Sequence, residues 1–517
     1  MTACFFAIMI GIGIYCRKHS TDVNGFVLGG RSVGPWLSAF AYGTSYFSAV
    51  IFIGYAGQFG WKFGLASTWI GIGNALLGSL LAWVVLGRRT RLMTQHLSSA
   101  TMPDFFEKRY GSKGLKIMSS AIIFIFLIPY TASLYNGLSK LIDMAFPNIP
   151  GGFETCVIVM AVLTAVYVIV GGYMATAIND FIQGIIMLFG IVIVIALVLN
   201  KNGGFTQAVA SLGAITEGAS FNGAFASFFG NAPAELLSVV ILTSLGTWGL
   251  PQMIGKFYSI KNEKSISTGA IVSTFFAIIV AGGCYFLGGF GRLYANAEIY
   301  KPDGSVNFDS IIPAMLQDLP AVVIGLVLIL VLSASMSTLS SLVLTSSSTL
   351  TLDLLGETVM KKSKKEKQLP VIRVFILIFI AISAIIAIVQ NKFGIAFIAQ
   401  FMGVSWGALA GSFLAPFLYG LYWKKTTKAA CFVNFGFGSA VMIAYLVLKF
   451  AAPDTLASLP AFFSSPINLG AAIMLASLVI VPVVSLITKK QDKVSVDGIF
   501  SCYDQQVTVE VTDSLGK

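Results

Sequence analysis

The chain has 517 residues, of which 56% are hydrophobic and only 11% charged, with a mean hydropathy of +0.85 and a formal net charge of +11. Average soluble domains carry about 25% charged residues, so this chain cannot cover a surface facing water, and lipid must be its solvent over much of its length. The positive charge does not mark a nucleic-acid binder, because the basic residues lie in short loops between apolar runs rather than on one patch.

Thirteen apolar segments follow in chain order: roughly 2–16, 34–60, 65–86, 115–143, 152–172, 176–200, 233–257, 266–291, 312–345, 370–390, 394–421, 427–450 and 466–488. Backbone groups in a bilayer must be satisfied within the segment, which predicts helices rather than open strands. The expectation is an all-α polytopic membrane protein with about 13 transmembrane helices. One transporter domain covers 1–490, and a polar cytoplasmic tail covers 491–517. The run 2–16 is short, since a crossing needs about 20 residues. With the N-terminus outside and the C-terminus inside, only Lys62, Lys140, Lys201, Arg292, Lys301, Lys392 and Lys449 fall on the outer side. The other Lys and Arg residues, Lys256 among them, then fall in cytoplasmic loops, the asymmetry expected of a correct assignment.

Two segments are interrupted. The second carries Gly43-Thr44-Ser45 between apolar halves, and the seventh carries Ser244-Leu245-Gly246-Thr247-Trp248-Gly249-Leu250-Pro251. Glycine relaxes the backbone and proline removes an N–H, so both segments are predicted to unwind within the membrane. They lie five segments apart, and an odd number reverses topology. Matching breaks in opposed halves point to inverted repeats with a binding site at the breaks. Ordinary helix-packing glycines are the plainer explanation.

The ninth segment is rich in hydroxyls. Ser337, Ser340 and Ser341 are spaced i, i+3, i+4 and share one helix face, with Thr338 beside them and Ala334 one turn earlier. Hydroxyls without a titratable group suit a dehydrated sodium ion, a hard cation that prefers oxygen ligands and can take carbonyls from a broken helix. The alternatives are polar glue between helices, about 0.6 kcal/mol per contact, or bonds back to the helix's own carbonyls. Asp180 follows Gly171-Gly172 and opens the sixth segment. An ionisable residue at the membrane suggests function, and a cation bound with the serines would suit it. A plain helix N-cap is the alternative.

Enzymatic chemistry finds no foothold. Cys4, Cys16, Cys156, Cys284, Cys431 and Cys502 are scattered without a CxxC pair, and His19 and His96 sit apart in basic loops. No zinc or haem ligand set, catalytic triad or phosphate loop is visible. The reading is a protein that is not an enzyme, with no organic cofactor, no transition metal, no nucleic acid and no obligatory protein partner. Its partners are the bilayer, a sodium ion and a small organic solute.

The residues resemble a known family, the sodium/solute symporters, of which bacterial sodium/proline permeases are members. The likeness runs from Thr21 to about residue 490. It rests on Leu28-Gly29-Gly30-Arg31-Ser32, on Met102-Pro103-Asp104-Phe105, on Gly171-Gly172 through Asp180, and on Ala334-x-x-Ser337-Thr338-Leu339-Ser340-Ser341. The resemblance implies a leucine-transporter-like fold of two inverted five-helix repeats, here about 34–200 and 233–421, with extra helices 2–16, 427–450 and 466–488. It implies a main sodium site from the backbone oxygens of Thr44, Phe47 and Ala334 and the hydroxyls of Ser337 and Thr338. A second sodium, where members bind one, would use Asp180, Ser337, Ser340 and Ser341. It implies a cell-membrane symporter working by alternating access.

The solute site matches less well. The aspartate that proline permeases carry in the broken second helix is Tyr46 here, and the tryptophan and tyrosine of their seventh helix become Ser244 and Thr247. Tyr130 matches a tyrosine used near the substrate. Tyr46, Tyr130, Asn74, Trp248 and Gln252 are the candidate solute residues, with Tyr42, Phe47 and Gln400 as further candidates. No Lys or Arg is expected in mid-membrane. These residues suit a small amino acid or monocarboxylate. A sugar or sialic-acid symporter is the alternative within the family, and an ion channel or solute sensor the alternative outside it.

Overall fold

The computed structural model describes residues 2–504 except 20, 147, 302–303, 357–367 and 394–397. The basic stretch Lys361–Lys367 and the start of the segment 394–421 therefore lie outside the described residues. Among those described there is no β-strand, only two isolated bridges. Ten helices among the described residues are long and apolar enough to cross a membrane, and a shorter apolar helix lies at Cys4–Cys16. The all-α membrane architecture is as expected.

The fifth and sixth segments form one helical track, Gly152–Lys201, here α1, broken at Gly172. Gly172 has φ 58° and ψ −158°, a conformation open to glycine and closed to side chains that carry a Cβ. The predicted boundary near 172 is thus a sharp bend rather than a loop.

The first interrupted segment runs as a helix over Pro35–Tyr46, with proline in its opening turn, where its missing N–H is not needed. Phe47 is extended at φ −87° and ψ 132°, and the chain resumes at Val50–Tyr55 as a π-helical turn leading into Ala56–Phe63. The break therefore falls at Phe47–Ser48, not at Gly43–Ser45. Gly43 serves close packing instead, since an added Cβ would meet the Phe276 ring at 2.7 Å.

The second interrupted segment consists of the helices Pro233–Gly246 and Pro251–Tyr258, joined through Thr247–Gly249 and an extended Leu250. Here the break is where Gly and Pro placed it. The ninth segment is two elements, a short helix Ile311–Leu316 and a long one, Ala321–Thr349, parted just before Pro320.

Both ends of the central bundle are fastened. At one end Val33 pairs with Ile260 in a parallel bridge, with Val33 N–H to the Ser259 carbonyl at 3.2 Å and Lys261 N–H to the Val33 carbonyl at 3.1 Å. Arg31 donates to the carbonyls of Tyr258 (3.1 Å), Thr94 (3.4 Å) and Ser99 (2.6 Å). At the other end Gly60 lies against Gly288 so closely that a Cβ on Gly60 would sit 2.0 Å from the Gly288 carbonyl oxygen. Arg292 donates to the Trp61 carbonyl at 2.7 Å and its guanidinium lies 3.8 Å from the Phe225 ring centroid.

The polar C-terminal stretch begins with a helix, Lys493–Phe500, that docks on the bundle. Arg109, fully buried, donates to the Gly420 carbonyl and to Gln491, each at 2.9 Å, and stacks on Phe500. Arg89 lies between the rings of Tyr422 and Tyr503. Residues 505–517 lie outside the described part of the chain.

Candidate functional site

Ending a helix at Tyr46 frees the last carbonyls of that helix from their intrahelical partners. The hydroxyl-rich helix Ala321–Thr349 passes beside them and packs on both α1 and Pro35–Tyr46. The Thr338 hydroxyl lies 3.0 Å from the Phe47 carbonyl, 3.4 Å from those of Thr44 and Ser45, and 3.2 Å from that of Ala334. Ser337 donates to the Thr44 hydroxyl at 2.8 Å, and Thr44 in turn to the Phe40 carbonyl at 2.7 Å. Thr44, Phe47, Ala334, Ser337 and Thr338 are all buried. The five residues expected at one point are brought together. They form a cage of oxygens with no titratable group, a donor set that suits a hard monovalent cation. The Ser45 carbonyl joins them, a member the sequence did not suggest.

The second expected set is differently arranged. Asp180 is no N-cap. It sits inside α1, about two turns past Gly172, and is fully buried. Its Oδ2 is 3.5 Å from the Lys256 ammonium, its side chain also faces Ser337, and its Oδ1 has no partner among the described residues. Ser340 donates to the Ser337 carbonyl at 2.8 Å, and Ser341 shares a 2.9 Å hydrogen bond with Ser45. Of the three serines, Ser340 and Ser341 thus direct their hydroxyls elsewhere.

Lys256 corrects the loop assignment. It is only 3% exposed, on the helix Pro251–Tyr258, between Asp180 and the Tyr173 ring at 5.2 Å. A basic residue therefore does lie in the protein interior, where only its pairing with Asp180 makes the charge tolerable.

Beside the helix break at Phe47–Ser48 lies a close-packed aromatic cluster, here the aromatic chamber. Tyr46 and Tyr130 both meet the Trp406 indole, with ring centroids at 5.8 and 6.0 Å. The Tyr130 hydroxyl faces Trp406 and Ser48, and the Tyr46 hydroxyl faces Thr243 and Tyr285, without completing hydrogen bonds. The hydroxyls of Tyr46, Tyr55, Tyr130, Tyr285 and Ser48 and the Trp406 N–H are all buried and without partners among the described residues. Asn74 accepts from Ser244 at 3.0 Å and, with Tyr42, Tyr46 and Thr247, lines a cavity of about 10 Å³.

The other expected solute residues stand apart. Trp248 donates its indole N–H to the Leu77 carbonyl at 2.9 Å. Gln252 lines a separate crevice of about 50 Å³ with Lys256, Tyr173 and Ser341. Gln400 accepts from Lys449. Sequence reasoning missed Trp406, Tyr55, Tyr285 and Ser48. An aromatic in an apolar span carries no mark that separates lining from packing.

Comparison with known proteins matches the model of the sodium:solute symporter family to residues 26–438. The chain is 31% identical over 465 residues to the sodium/proline symporter of Staphylococcus aureus strain JH9, covering 86% of this chain and 85% of that one. The protein of the same name in strain COL is similar to the same degree. Among solved structures the chain is similar to a Na+-coupled sialic acid symporter in a substrate-bound outward-open state. The TM-score is 0.74 at 16% identity, over 94% of this chain and 97% of that one, a likeness of fold.

Proposed function

The chain belongs to the sodium:solute symporter family, and from that premise we propose that it imports a small amino acid or monocarboxylate together with sodium held by Thr44, Phe47, Ala334, Ser337 and Thr338. It is a sodium-coupled solute symporter of the plasma membrane, multi-pass, and not an enzyme. The observation that carries the ion assignment is the Thr338 hydroxyl, within 3.4 Å of four carbonyl oxygens drawn from the end and break of one helix and from a second helix.

Coupling follows from that geometry. An ion in the cage bridges the broken helix to Ala321–Thr349, so it favours the conformation in which the two are close. The chamber containing Tyr46 adjoins the same break, so a solute there is favoured by the ion, and by linkage the ion is favoured by the solute. With about a tenfold gradient and about 100 mV, each sodium supplies about 3.7 kcal/mol, enough for several-hundred-fold accumulation.

The solute reading rests on the chamber's chemistry. Its unpartnered groups are hydroxyls and one indole N–H, and none of the residues facing it carries a charge. Such donors suit a carboxylate set against aromatic rings. Proline and sialic acid, named for the relatives, share a carboxylate and differ in most other respects. Candidate solute residues are Tyr46, Tyr130 and Asn74, joined by Trp406. Thirteen crossings with the N-terminus outside belong to the same proposal.

The test is uptake by proteoliposomes of the full chain under an imposed sodium gradient, across labelled amino acids, monocarboxylates and sugars. The expected result is uptake of a carboxylate that disappears when potassium replaces sodium. Equal uptake in potassium, or uptake of uncharged sugars alone, would overturn it. A current that persists without organic solute would mark a channel instead.

A further inference from the structure

We propose that the Lys256 ammonium is a built-in second cation at Asp180, so that the protein binds one sodium ion rather than two. The inference rests on the sodium-symport reading above and concerns the neighbouring carboxylate, not the oxygen cage.

Asp180 and Lys256 are 1% and 3% exposed in their side chains and 3.5 Å apart, with Asp180 also facing Ser337, a member of the cage. The pair is neutral as it stands. A sodium ion at the same carboxylate would bring two positive charges within a few ångströms of each other around a single negative one. In a low-dielectric interior such like charges repel strongly. The serines do not offset this. Ser340 is bonded to the Ser337 carbonyl and Ser341 to Ser45, so neither hydroxyl is directed at Asp180.

The position of the lysine gives the substitution a mechanical sense. Lys256 belongs to Pro251–Tyr258, the second half of the second broken helix, and Asp180 belongs to α1. The oxygen cage ties the first broken helix to Ala321–Thr349 through a diffusible ion. The lysine ties the second broken helix to α1 through a cation that cannot leave. Only the first tie can then be made and released by the sodium gradient. Lys256 also lines the 50 Å³ crevice with Gln252 and Ser341, so it stands between that crevice and the carboxylate.

Equilibrium binding of radioactive sodium to the purified full chain tests this without knowing the solute. One saturable sodium per molecule is expected for the unaltered protein, and Asp180→Asn is expected to keep that number at one. Lys256→Met is expected to bind a second sodium, and Lys256→Met combined with Asp180→Asn to lose it again. The Lys256→Met protein should also gain far more thermal stability from sodium than the unaltered protein, since its buried carboxylate then has no other cation. Two sodium ions on the unaltered protein, falling to one in Asp180→Asn, would overturn the lysine's role while leaving sodium symport intact. The same holds if Lys256→Met folds and still binds one. No saturable sodium binding by the unaltered protein would overturn both readings. If Lys256→Met cannot be purified, the count on the unaltered protein and on Asp180→Asn decides alone.

Discussion

The oxygen cage and the aromatic chamber meet at the same helix break, yet they are built on opposite principles. In the cage each hydroxyl has partners, with Thr338 near four carbonyls and Ser337 bonded to Thr44. In the chamber the hydroxyls of Tyr46, Tyr130, Tyr285 and Ser48 are buried and have none among the described residues. The Tyr46 hydroxyl faces Thr243 and Tyr285 and the Tyr130 hydroxyl faces Trp406 and Ser48 without completing bonds, so a hydrogen-bonding solute meets donors there. The cage is assembled by the backbone and stays in shape by itself. An ion site of this kind can serve many solutes across a family, while the side chains of the chamber decide which one is carried.

The largest effect that would sharpen this contrast is in the cage. Thr338→Val keeps the shape and removes the hydroxyl among four carbonyls, and should raise the sodium concentration for half-maximal uptake by more than about 100-fold, on about 3 kcal/mol for a buried group left unpaired. Sodium titration of uptake checks it. Ser337→Ala removes one oxygen and should raise the same quantity about tenfold, the effect of about 1.4 kcal/mol. An unchanged sodium dependence in either variant would remove these residues from the ion site.

Chamber variants should act on the solute and not on the ion. Tyr130→Phe is expected to weaken solute half-saturation by about five- to tenfold, since one hydrogen bond is worth about 1 kcal/mol, while sodium binding measured without solute stays put. A matched fall in sodium affinity would break the distinction between the two regions. Smallest of all, Trp248→Phe should change solute half-saturation by less than about threefold, about 0.6 kcal/mol, because Trp248 stands apart from the chamber. Its indole N–H is bonded to the Leu77 carbonyl.

The same contrast governs what the sequence reveals. Part of the cage was legible from periodicity, since Ser337 and Thr338 read as one hydroxyl patch on a helix, whereas its joining with the backbone of Thr44, Phe47 and Ala334 was implied only by the family resemblance. The first break still fell at Phe47–Ser48, beyond Gly43, because that glycine answers to the Phe276 ring rather than to the backbone turn. The chamber was half legible. Tyr46 and Tyr130 were named, but Trp406 and Tyr285 look like packing residues until the fold sets them face to face. Lys256 was misassigned because it lies at the edge of an apolar segment, where hydropathy cannot separate a loop lysine from one turned inward to Asp180. Arg109 and Arg89 show the same blindness, since a basic residue held by Gly420 and Phe500, or stacked between Tyr422 and Tyr503, reads like any loop charge.

One side chain at the fastened end has a kinetic consequence. Arg31 grips three carbonyls on two stretches of chain, Thr94 and Ser99 on one and Tyr258 on the other, beside the Val33–Ile260 bridge. A guanidinium is a planar fork, and here one nitrogen serves Tyr258 while the other serves Thr94 and Ser99, so both sets are satisfied only while the two stretches stay together. Parting them breaks at least one set, which makes this end a latch. Turnover through that side is then expected to show a steep dependence on temperature, while binding at the buried break, which leaves the latch shut, does not.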